Sequence, residues 1–150
     1  MTRGHSILLF LSWLVCCFAA ALIINYTYYQ VMPIEHWVEY ETVKPLKPVV
    51  KVGQPIEFVS IKDTHRRCDL TFNDILYCKN GDPESYRYYA SQDSGHINCM
   101  SEVGQALQWR FRHRVMEPTE CYLQSNITVH LPWGIKKHQT LQGEIFKVAP

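Results

Sequence analysis

The fold is decided by the stretch Cys121-Tyr-Leu-Gln-Ser-Asn-Ile-Thr-Val-His-Leu131, in which every second residue is apolar or small. Successive side chains of a β-strand point to opposite faces, so a period of two predicts a strand with one buried face. The members of that face would be Cys121, Leu123, Ser125, Ile127, Val129 and Leu131. We therefore expect a long amphipathic strand within a half-buried sheet.

The same period recurs in shorter segments on either side of this stretch. Residues 107–115 alternate, with Leu107, Trp109, Phe111, His113 and Val115 on the expected core face. Other strands are predicted at residues 55–61, 68–72, 75–78, 86–90 and 141–148, with turns at Asn73-Asp74 and at Asn80-Gly81-Asp82-Pro83. The pattern predicts an all-β fold, most plausibly an antiparallel immunoglobulin-like sandwich over residues 49–150.

An uncharged apolar run of eighteen residues, 7–24, precedes this region. At about 1.5 Å per residue a helix of this length spans roughly 27 Å, close to the hydrocarbon thickness of a bilayer. Tyr26, Tyr28 and Tyr29 follow the run, with Trp37 further on, and are expected to lie at the headgroup level as an interfacial belt. We predict a transmembrane helix over residues 7–29, for which the lipid bilayer is the partner.

The orientation follows from the flanking basic residues, which stay on the cytoplasmic side. Arg3 precedes the run, and the next basic residue is Lys44. Residues 1–6 are therefore expected in the cytoplasm and the carboxyl-terminal part in the periplasm or at the cell surface. A cleaved signal peptide is the alternative, because Ala19 and Ala21 could form a cleavage site.

The part of the chain beyond the span is formally neutral. Of fifteen Lys and Arg residues only Arg3 precedes residue 25, which leaves fourteen against fourteen Asp and Glu. A nucleic-acid-binding domain would need a basic excess, so nucleic acid is not an expected partner. Residues 30–48, with Pro33, Pro45 and Pro48, are predicted to form an extended stalk. Residues 38–43 alternate well enough to form a first edge strand, so the alternative is that stalk and domain overlap there.

Four cysteines lie beyond the span: Cys68, Cys78, Cys99 and Cys121. An even number of cysteines in an oxidising compartment predicts two disulfides, and four cysteines allow three pairings. Cys16 and Cys17 lie within the apolar run and are expected to act as small hydrophobes.

A zinc site competes for some of the same sulfurs. His65, Cys68, His96 and Cys99 form two His-x-x-Cys pairs, which are a minority alternative set of four ligands. The compartment favours the disulfides, so we expect no metal and no other cofactor.

No catalytic motif stands out in the chain. Asp93-Ser-Gly-His96 contains three residue types of a hydrolytic triad, but adjacency in a polar turn is the ordinary composition of a loop. We expect the protein not to be an enzyme and predict no catalytic residue.

The best candidate binding surface is the row of Arg110, Arg112 and Arg114, which would share the outer face of the predicted strand. Guanidinium groups at alternate positions of a strand repel one another unless carboxylates or an acidic partner neutralise their charges. The row is interpreted either as a face balanced by carboxylates of a neighbouring strand or as a contact patch for an acidic partner or lipid headgroups.

Several short motifs together resemble a known group of proteins. They are the opening strand Val50-Lys-Val-Gly53-Gln-Pro-Ile56-Glu-Phe58, the segment Tyr77-Cys78-Lys79 and the late element Val129-His-Leu-Pro132. With one span after a short basic start, the layout is similar to small single-pass membrane proteins of tailed phages. The resemblance implies an exported immunoglobulin-like domain, and it implies no catalytic residue because the role of that group is mostly unassigned.

Two classes of function follow from these observations. The first is a membrane-anchored, disulfide-stapled β-sandwich that presents a non-catalytic binding or assembly surface to a protein partner outside the cytoplasm. The alternative is a secreted or lumenal domain with a His/Cys zinc site or a hydrolytic activity.

Overall fold

The computed structural model describes residues 3–79, 81, 84–99 and 106–150. These residues form two compact units. The first consists of the described residues up to Met32 together with Pro132–Ile135, and the second of the described residues between Pro33 and Leu131 together with Lys136–Pro150.

The first unit is built on one helix, α1, Arg3–Val31. The predicted helix at residues 7–29 is thus confirmed, and α1 extends beyond it at both ends. It stops shortly before Pro33, whose ring disfavours helical geometry in the preceding residue. Within the same unit the Trp133 indole N–H donates to Asn25 Oδ1 at 3.0 Å.

Among the described residues, α1 is the one helix long and apolar enough to cross a membrane. The candidate span is Ser6–Val31, with a mean hydropathy of 2.8, and none of its most apolar window is buried. Large side chains such as Leu8 and Ile24 are 71% and 70% exposed. An apolar surface of this size in contact with solvent marks a membrane or partner contact.

The second unit is rich in β-structure and begins with a short 3-10 helix, Ile34–His36. Its strands in chain order are β1 Val38–Tyr40, β2 Lys44–Pro45, β3 Val49–Lys51, β4 Glu57–Thr64, β5 Asp69–Lys79, β6 Tyr86–Asp93, β7 Ile97–Asn98, β8 Ala106–Arg110, β9 Thr119–His130, β10 Lys136–Gln142 and β11 Phe146–Ala149.

These strands form two sheets. In the smaller sheet β4 is central and pairs antiparallel with β1, β2 and β8. The larger sheet has the order β3-β11-β9-β5-β6, with β10 also paired to β9 and β7 to β5. The pair β3 and β11 is parallel, so the larger sheet is mixed rather than purely antiparallel as predicted.

Strand β9 contains residues 121–130 of the alternating stretch 121–131. Its inward residues are buried from Cys121 to Val129, while the alternate residues stay half-exposed. It pairs with β5 from Asp69 opposite His130 to Cys78 opposite Cys121. The predicted amphipathic strand is confirmed.

One hydrophobic core joins apolar residues of both sheets. Phe58 of the smaller sheet packs with Leu76, Leu123 and Phe146 of the larger one, and the Phe58 and Phe146 rings meet edge to face at 5.7 Å. The prediction of a β-rich domain behind one apolar helix is therefore confirmed.

The predicted stalk at residues 30–48 is wrong for most of its length. From Ile34 onward the segment folds into the 3-10 helix, β1 and β2, and Trp37 and Val38 are 2% and 0% exposed. The prolines do not prevent this, because Pro33 lies just before the helix and Pro45 sits in a two-residue strand. Apolar burial outweighs the extended tendency of the prolines.

The predicted turn at Asn73-Asp74 is also wrong, because β5 runs through both residues without a break. The Asn73 side chain donates to Asp93 Oδ1 on β6, and Asp74 is buried on the inner face. Of the predicted turn Asn80-Gly81-Asp82-Pro83 only Gly81 lies within the described residues, and its φ of 69° suits a turn.

Candidate functional site

The predicted row of Arg110, Arg112 and Arg114 does not form one strand face. Strand β8 ends at Arg110, and the chain then bends, which leaves His113 exposed instead of in the core. The reason is the neighbouring strand: β4 begins at Glu57, and Pro55 just before it has no backbone donor. Beyond Phe111, whose N–H donates to the Ile56 carbonyl at 2.9 Å, no strand remains to pair with.

Arg110, the first of these arginines, forms an ion pair with a carboxylate. Arg110 lies opposite Glu57 in the sheet, and its Nη2 and Nε donate to Glu57 Oε1 at 2.8 Å and 3.3 Å. Both side chains are substantially exposed, so the pair contributes only about 0–1 kcal/mol to folding. Arg110 therefore follows the interpretation of a balanced surface.

The backbones of the other two arginines, Arg112 and Arg114, form hydrogen bonds with side chains of β6. The Arg112 N–H donates to Gln92 Oε1 at 2.8 Å, and the Arg114 carbonyl accepts from the Tyr89 hydroxyl at 2.8 Å. Their side chains are exposed, and no carboxylate of the described residues forms an ion pair with either of them. They are cations available to a partner.

Arg110 and Arg112 also line a cavity of about 340 Å³ within the second unit. Residues of both sheets line this cavity. Its exposed lining residues form the mouth, and these are Asp93, Gln108, Arg110 and Arg112.

The interior of the cavity combines an apolar lining with a few polar groups. The apolar side chains are Val43, Phe72, Ile97, Leu107, Ile127 and Leu141. The polar or amphipathic side chains are Tyr40, Ser60, Lys62, Asp74, Gln92, Ser94, Trp109 and Ser125. A mostly apolar pocket with a small number of convergent polar groups is typical of small-molecule sites.

Asp74 is the acidic group in the wall. It is 6% exposed, and its Oδ1 accepts a hydrogen bond of 2.6 Å from the Ser125 hydroxyl. Burial raises the pKa of the Asp74 carboxyl above its ordinary value, and hydrogen bonds from Ser125 and Gln92 offset part of this rise. The carboxyl is thus held in place but disfavoured as an anion.

Two buried donors on the wall have no hydrogen-bond partner among the described residues, the Tyr40 hydroxyl and the Trp109 indole N–H. The indole N–H faces Asp74 and lowers the pKa of that carboxyl, but it lies outside hydrogen-bond geometry. Leaving a buried donor unsatisfied costs about 1–3 kcal/mol. Such groups are rare in folded proteins and mark this wall as unusual.

Lys62 is the most buried charged residue of the cavity, at 1% exposure. It lies on β4 directly opposite Tyr40 of β1. This placement could not be predicted from the sequence, because Ser60 and Lys62 interrupt the otherwise apolar alternation of this segment. In the structure both point inward with Phe58.

The four predicted disulfide cysteines form two bridges, Cys68 to Cys99 and Cys78 to Cys121. The second joins opposed residues of β5 and β9, so it lies within one sheet. The first ties the start of β5 to the residue after β7, where the Cys99 N–H also donates to the Cys68 carbonyl.

This pairing removes both sulfurs of the minority zinc alternative. Cys68 and Cys99 are bonded to each other, and the described residues contain no group of three or more metal-ligating side chains. The His96 ring lies against His130 instead, with ring centres 5.1 Å apart. The structure therefore does not assemble His65, Cys68, His96 and Cys99 as ligands.

The segment Asp93-Ser-Gly-His96 does not assemble a triad either. The Ser94 hydroxyl accepts from the Phe72 N–H at 2.8 Å and fastens the loop to β5. Asp93 accepts from Asn73, and His96 faces His130. Each of the three side chains contacts a residue of a neighbouring strand instead of the other two.

The fold and this site define a β-rich domain with a partly polar internal cavity, behind an apolar helix. No protein-family model matches the chain, and no curated protein matches it.

Proposed function

We propose that the protein is a single-pass membrane protein that presents a disulfide-stabilised β-domain for non-catalytic binding outside the cytoplasm. The finding that supports this most is that one chain combines two disulfides with an apolar helix, and that none of the most apolar window of this helix is buried among the described residues. A helix of 26 residues is about 39 Å long, more than the roughly 30 Å of a bilayer core. Disulfides persist mainly in oxidising compartments.

The orientation is part of the proposal. Arg3 at the start of α1 supports an amino terminus in the cytoplasm, with the second unit in the periplasm or at the cell surface. We also propose that this unit is an immunoglobulin-like sandwich, as in the phage proteins that it resembles. The shared core of the two sheets supports this, while the bridge of Cys78 and Cys121 within one sheet departs from the usual inter-sheet position.

The binding surface that we propose consists of Arg110 and Arg112 at the cavity mouth, together with Arg114, which follows them in the chain and does not line the cavity. Arg112 and Arg114 carry exposed charges without an ion pair among the described residues, so an acidic protein surface would complement them. Contacts of this kind weaken with salt because exposed charges are screened over about 8 Å at physiological ionic strength.

Intact-mass measurement of the purified full chain tests the anchored form. We expect a mass that includes residues 1–24 and is lower than the reduced chain by four hydrogens, two for each bridge. A chain that lacks the amino-terminal segment would make the helix a cleaved signal peptide. Four free cysteines beyond residue 32 would contradict the oxidising compartment.

A capture experiment tests the surface. The full chain in detergent is used to retain partners from native membranes, and the retained proteins are compared with those of Arg112→Glu. Arg87→Glu, an exposed arginine on β6 that does not line the cavity, is the matched control. Loss of a salt-sensitive partner in the first variant alone supports the proposal, and an unchanged set of partners in Arg112→Glu refutes it.

A further inference from the structure

Two neutral hydrogen-bond donors on the wall of the cavity have no partner among the described residues. They are the Tyr40 hydroxyl and the Trp109 indole N–H, and both atoms are buried. The Tyr40 residue as a whole is only 8% exposed. An indole can only donate, and the hydrogen of a phenol needs an acceptor. The group that both positions lack is therefore an acceptor atom.

Acceptors that line the cavity already serve other donors. Asp74 Oδ1 accepts from the Ser125 hydroxyl at 2.6 Å, and Gln92 Oε1 accepts from the Arg112 N–H at 2.8 Å. A buried donor left without an acceptor costs about 1–3 kcal/mol, so a molecule that brings an acceptor into the cavity recovers part of this cost on binding.

The ligand that suits these positions is neutral. A protonated amine carries donors only and would leave both positions unsatisfied. An anion would lie beside the Asp74 carboxyl, which the Trp109 indole faces, and the burial of a charge without a partner is costly. Lys62 and Arg110 have interactions of their own, and Arg112 lies at the exposed mouth. A neutral molecule with an acceptor avoids these costs.

The size and the rest of the wall determine the body of the ligand. A cavity of about 340 Å³ has room for roughly ten waters at about 30 Å³ each and falls in the range of small-molecule pockets. The rings of Phe72 and Trp109 and the side chains of Leu107, Ile127 and Leu141 offer an apolar surface to it.

We propose that this cavity binds a small neutral carbonyl compound with an apolar body, whose oxygen accepts hydrogen bonds from the Tyr40 hydroxyl and the Trp109 indole N–H. A carbonyl oxygen has two lone pairs and can serve two donors. The apolar body lies against the aromatic and aliphatic wall. This site depends neither on the proposed protein partner nor on the orientation in the membrane, so either proposal can fail while the other stands.

Fluorine NMR of probes added to the full chain in lipid nanodiscs tests the proposal, with empty nanodiscs as the blank. The probes are 4-fluoroacetophenone, its isostere 4-fluoro-α-methylstyrene, in which a methylene group replaces the carbonyl oxygen, and the anion 4-fluorobenzoate. We expect saturable binding of the ketone with a Kd below about 1 mM. The ketone should bind more tightly than the benzoate, and more tightly than the isostere by roughly 3- to 10-fold for each neutral hydrogen bond.

Two variants test the donors. Tyr40→Phe and Trp109→Phe each remove one donor and keep an aromatic ring. In each of them the preference for the ketone over the isostere should fall by roughly 3- to 10-fold. The matched controls are Tyr88→Phe and Trp133→Phe, because Tyr88 is 62% and Trp133 55% exposed and neither residue lines the cavity. Their preference should stay within about twofold of that of the unmodified chain.

The proposal is overturned if the ketone does not bind up to about 1 mM, if the isostere or the benzoate binds as tightly as the ketone, or if both cavity variants keep the full preference of the unmodified chain. A preference that falls in one cavity variant alone supports the site and assigns the hydrogen bond to that donor. The comparison of the three probes needs no variant, so it decides even if neither cavity variant folds.

Discussion

Among single residues, Asp74 shows how the interior of this domain departs from an ordinary core. A buried carboxyl without hydrogen bonds would be costly, but Ser125 and Gln92 hold this one in place. Its pKa is nevertheless raised by burial, so the folded protein binds this proton more tightly than the unfolded chain does. The residue therefore links folding to pH.

The contribution of Asp74 is fully present below its unfolded pKa, near 3.8, and is lost as the pH rises through the higher pKa of the folded state. Glu120 acts in the opposite direction, because Lys79 lowers its pKa. A comparison of variant and unmodified chain at each pH cancels the contribution of Glu120.

We predict that Asp74→Asn gains stability relative to the unmodified chain as the pH rises from 3.5 to 7, about 1.4 kcal/mol for each unit of the pKa difference it removes. Urea unfolding at several pH values measures this. Asp63→Asn, an exposed position of β4, is the control. A stability difference between Asp74→Asn and the unmodified chain that does not change with pH contradicts the account.

Tyr40 provides a second prediction for a single side chain. Since its hydroxyl has no partner among the described residues, Tyr40→Phe removes an unsatisfied donor and keeps the ring against Phe72. We expect the ligand-free variant to be at least as stable as the unmodified chain, by up to about 1–3 kcal/mol. Chemical unfolding checks this, and a loss of more than about 1 kcal/mol would mean that the hydroxyl is satisfied after all.

The candidate site could be predicted only at its rim. Arg110 and Arg112 were found from the sequence, because alternating arginines stand out on an exposed face. Tyr40, Lys62 and Asp74 were not found. Tyr40 lies in the predicted stalk, Lys62 interrupts the apolar alternation of its segment, and Asp74 belongs to a predicted turn. Only the tertiary packing shows that they share one cavity.

At the level of elements, β9 carries much of the core. Leu123 is fully buried, whereas its neighbour Gln124 lies on the outer face. We predict that Leu123→Ala costs about 2–5 kcal/mol and Gln124→Ala less than about 0.5 kcal/mol. Equal effects in urea unfolding would contradict the assigned faces of the strand.

The disulfides connect elements that would otherwise separate on unfolding. The bridge between Cys78 and Cys121 closes 43 residues and that between Cys68 and Cys99 closes 31. We predict that Cys78→Ala with Cys121→Ala costs about 2–4 kcal/mol through the greater freedom of the unfolded chain. The measurement is unfolding under non-reducing conditions, and full stability in the double variant would contradict it.

The strands that the sequence predicts correctly are those in which burial and alternation agree, as in β9. Prediction failed where a polar residue faces inward or where a strand loses its neighbour. Asp74 was predicted as a turn residue. The row of arginines was predicted as one strand, because residues 107–115 do not themselves show that the neighbouring strand β4 begins only at Glu57, opposite Arg110. Residues 30–48 were predicted as a stalk from their prolines and glutamates. The edge strand that the alternation of residues 38–43 indicates is present as β1, but the burial of Trp37, Val38 and Tyr40 was not predicted.

For the whole molecule, α1 and the β-rich unit call for different surroundings. The helix exposes large apolar side chains along its length, whereas the other unit has its own core and two disulfides. Lipid around the first and an oxidising aqueous phase around the second satisfy both requirements. The central claim is that one chain occupies these two environments.

Protease access to a carboxyl-terminal tag on membrane-bound chain tests that claim most directly. In spheroplasts with an intact inner membrane, we expect externally added protease to remove the tag while the chain stays in the membrane fraction. A chain that is recovered as soluble protein, with a tag protected until the cells are lysed, would contradict the account.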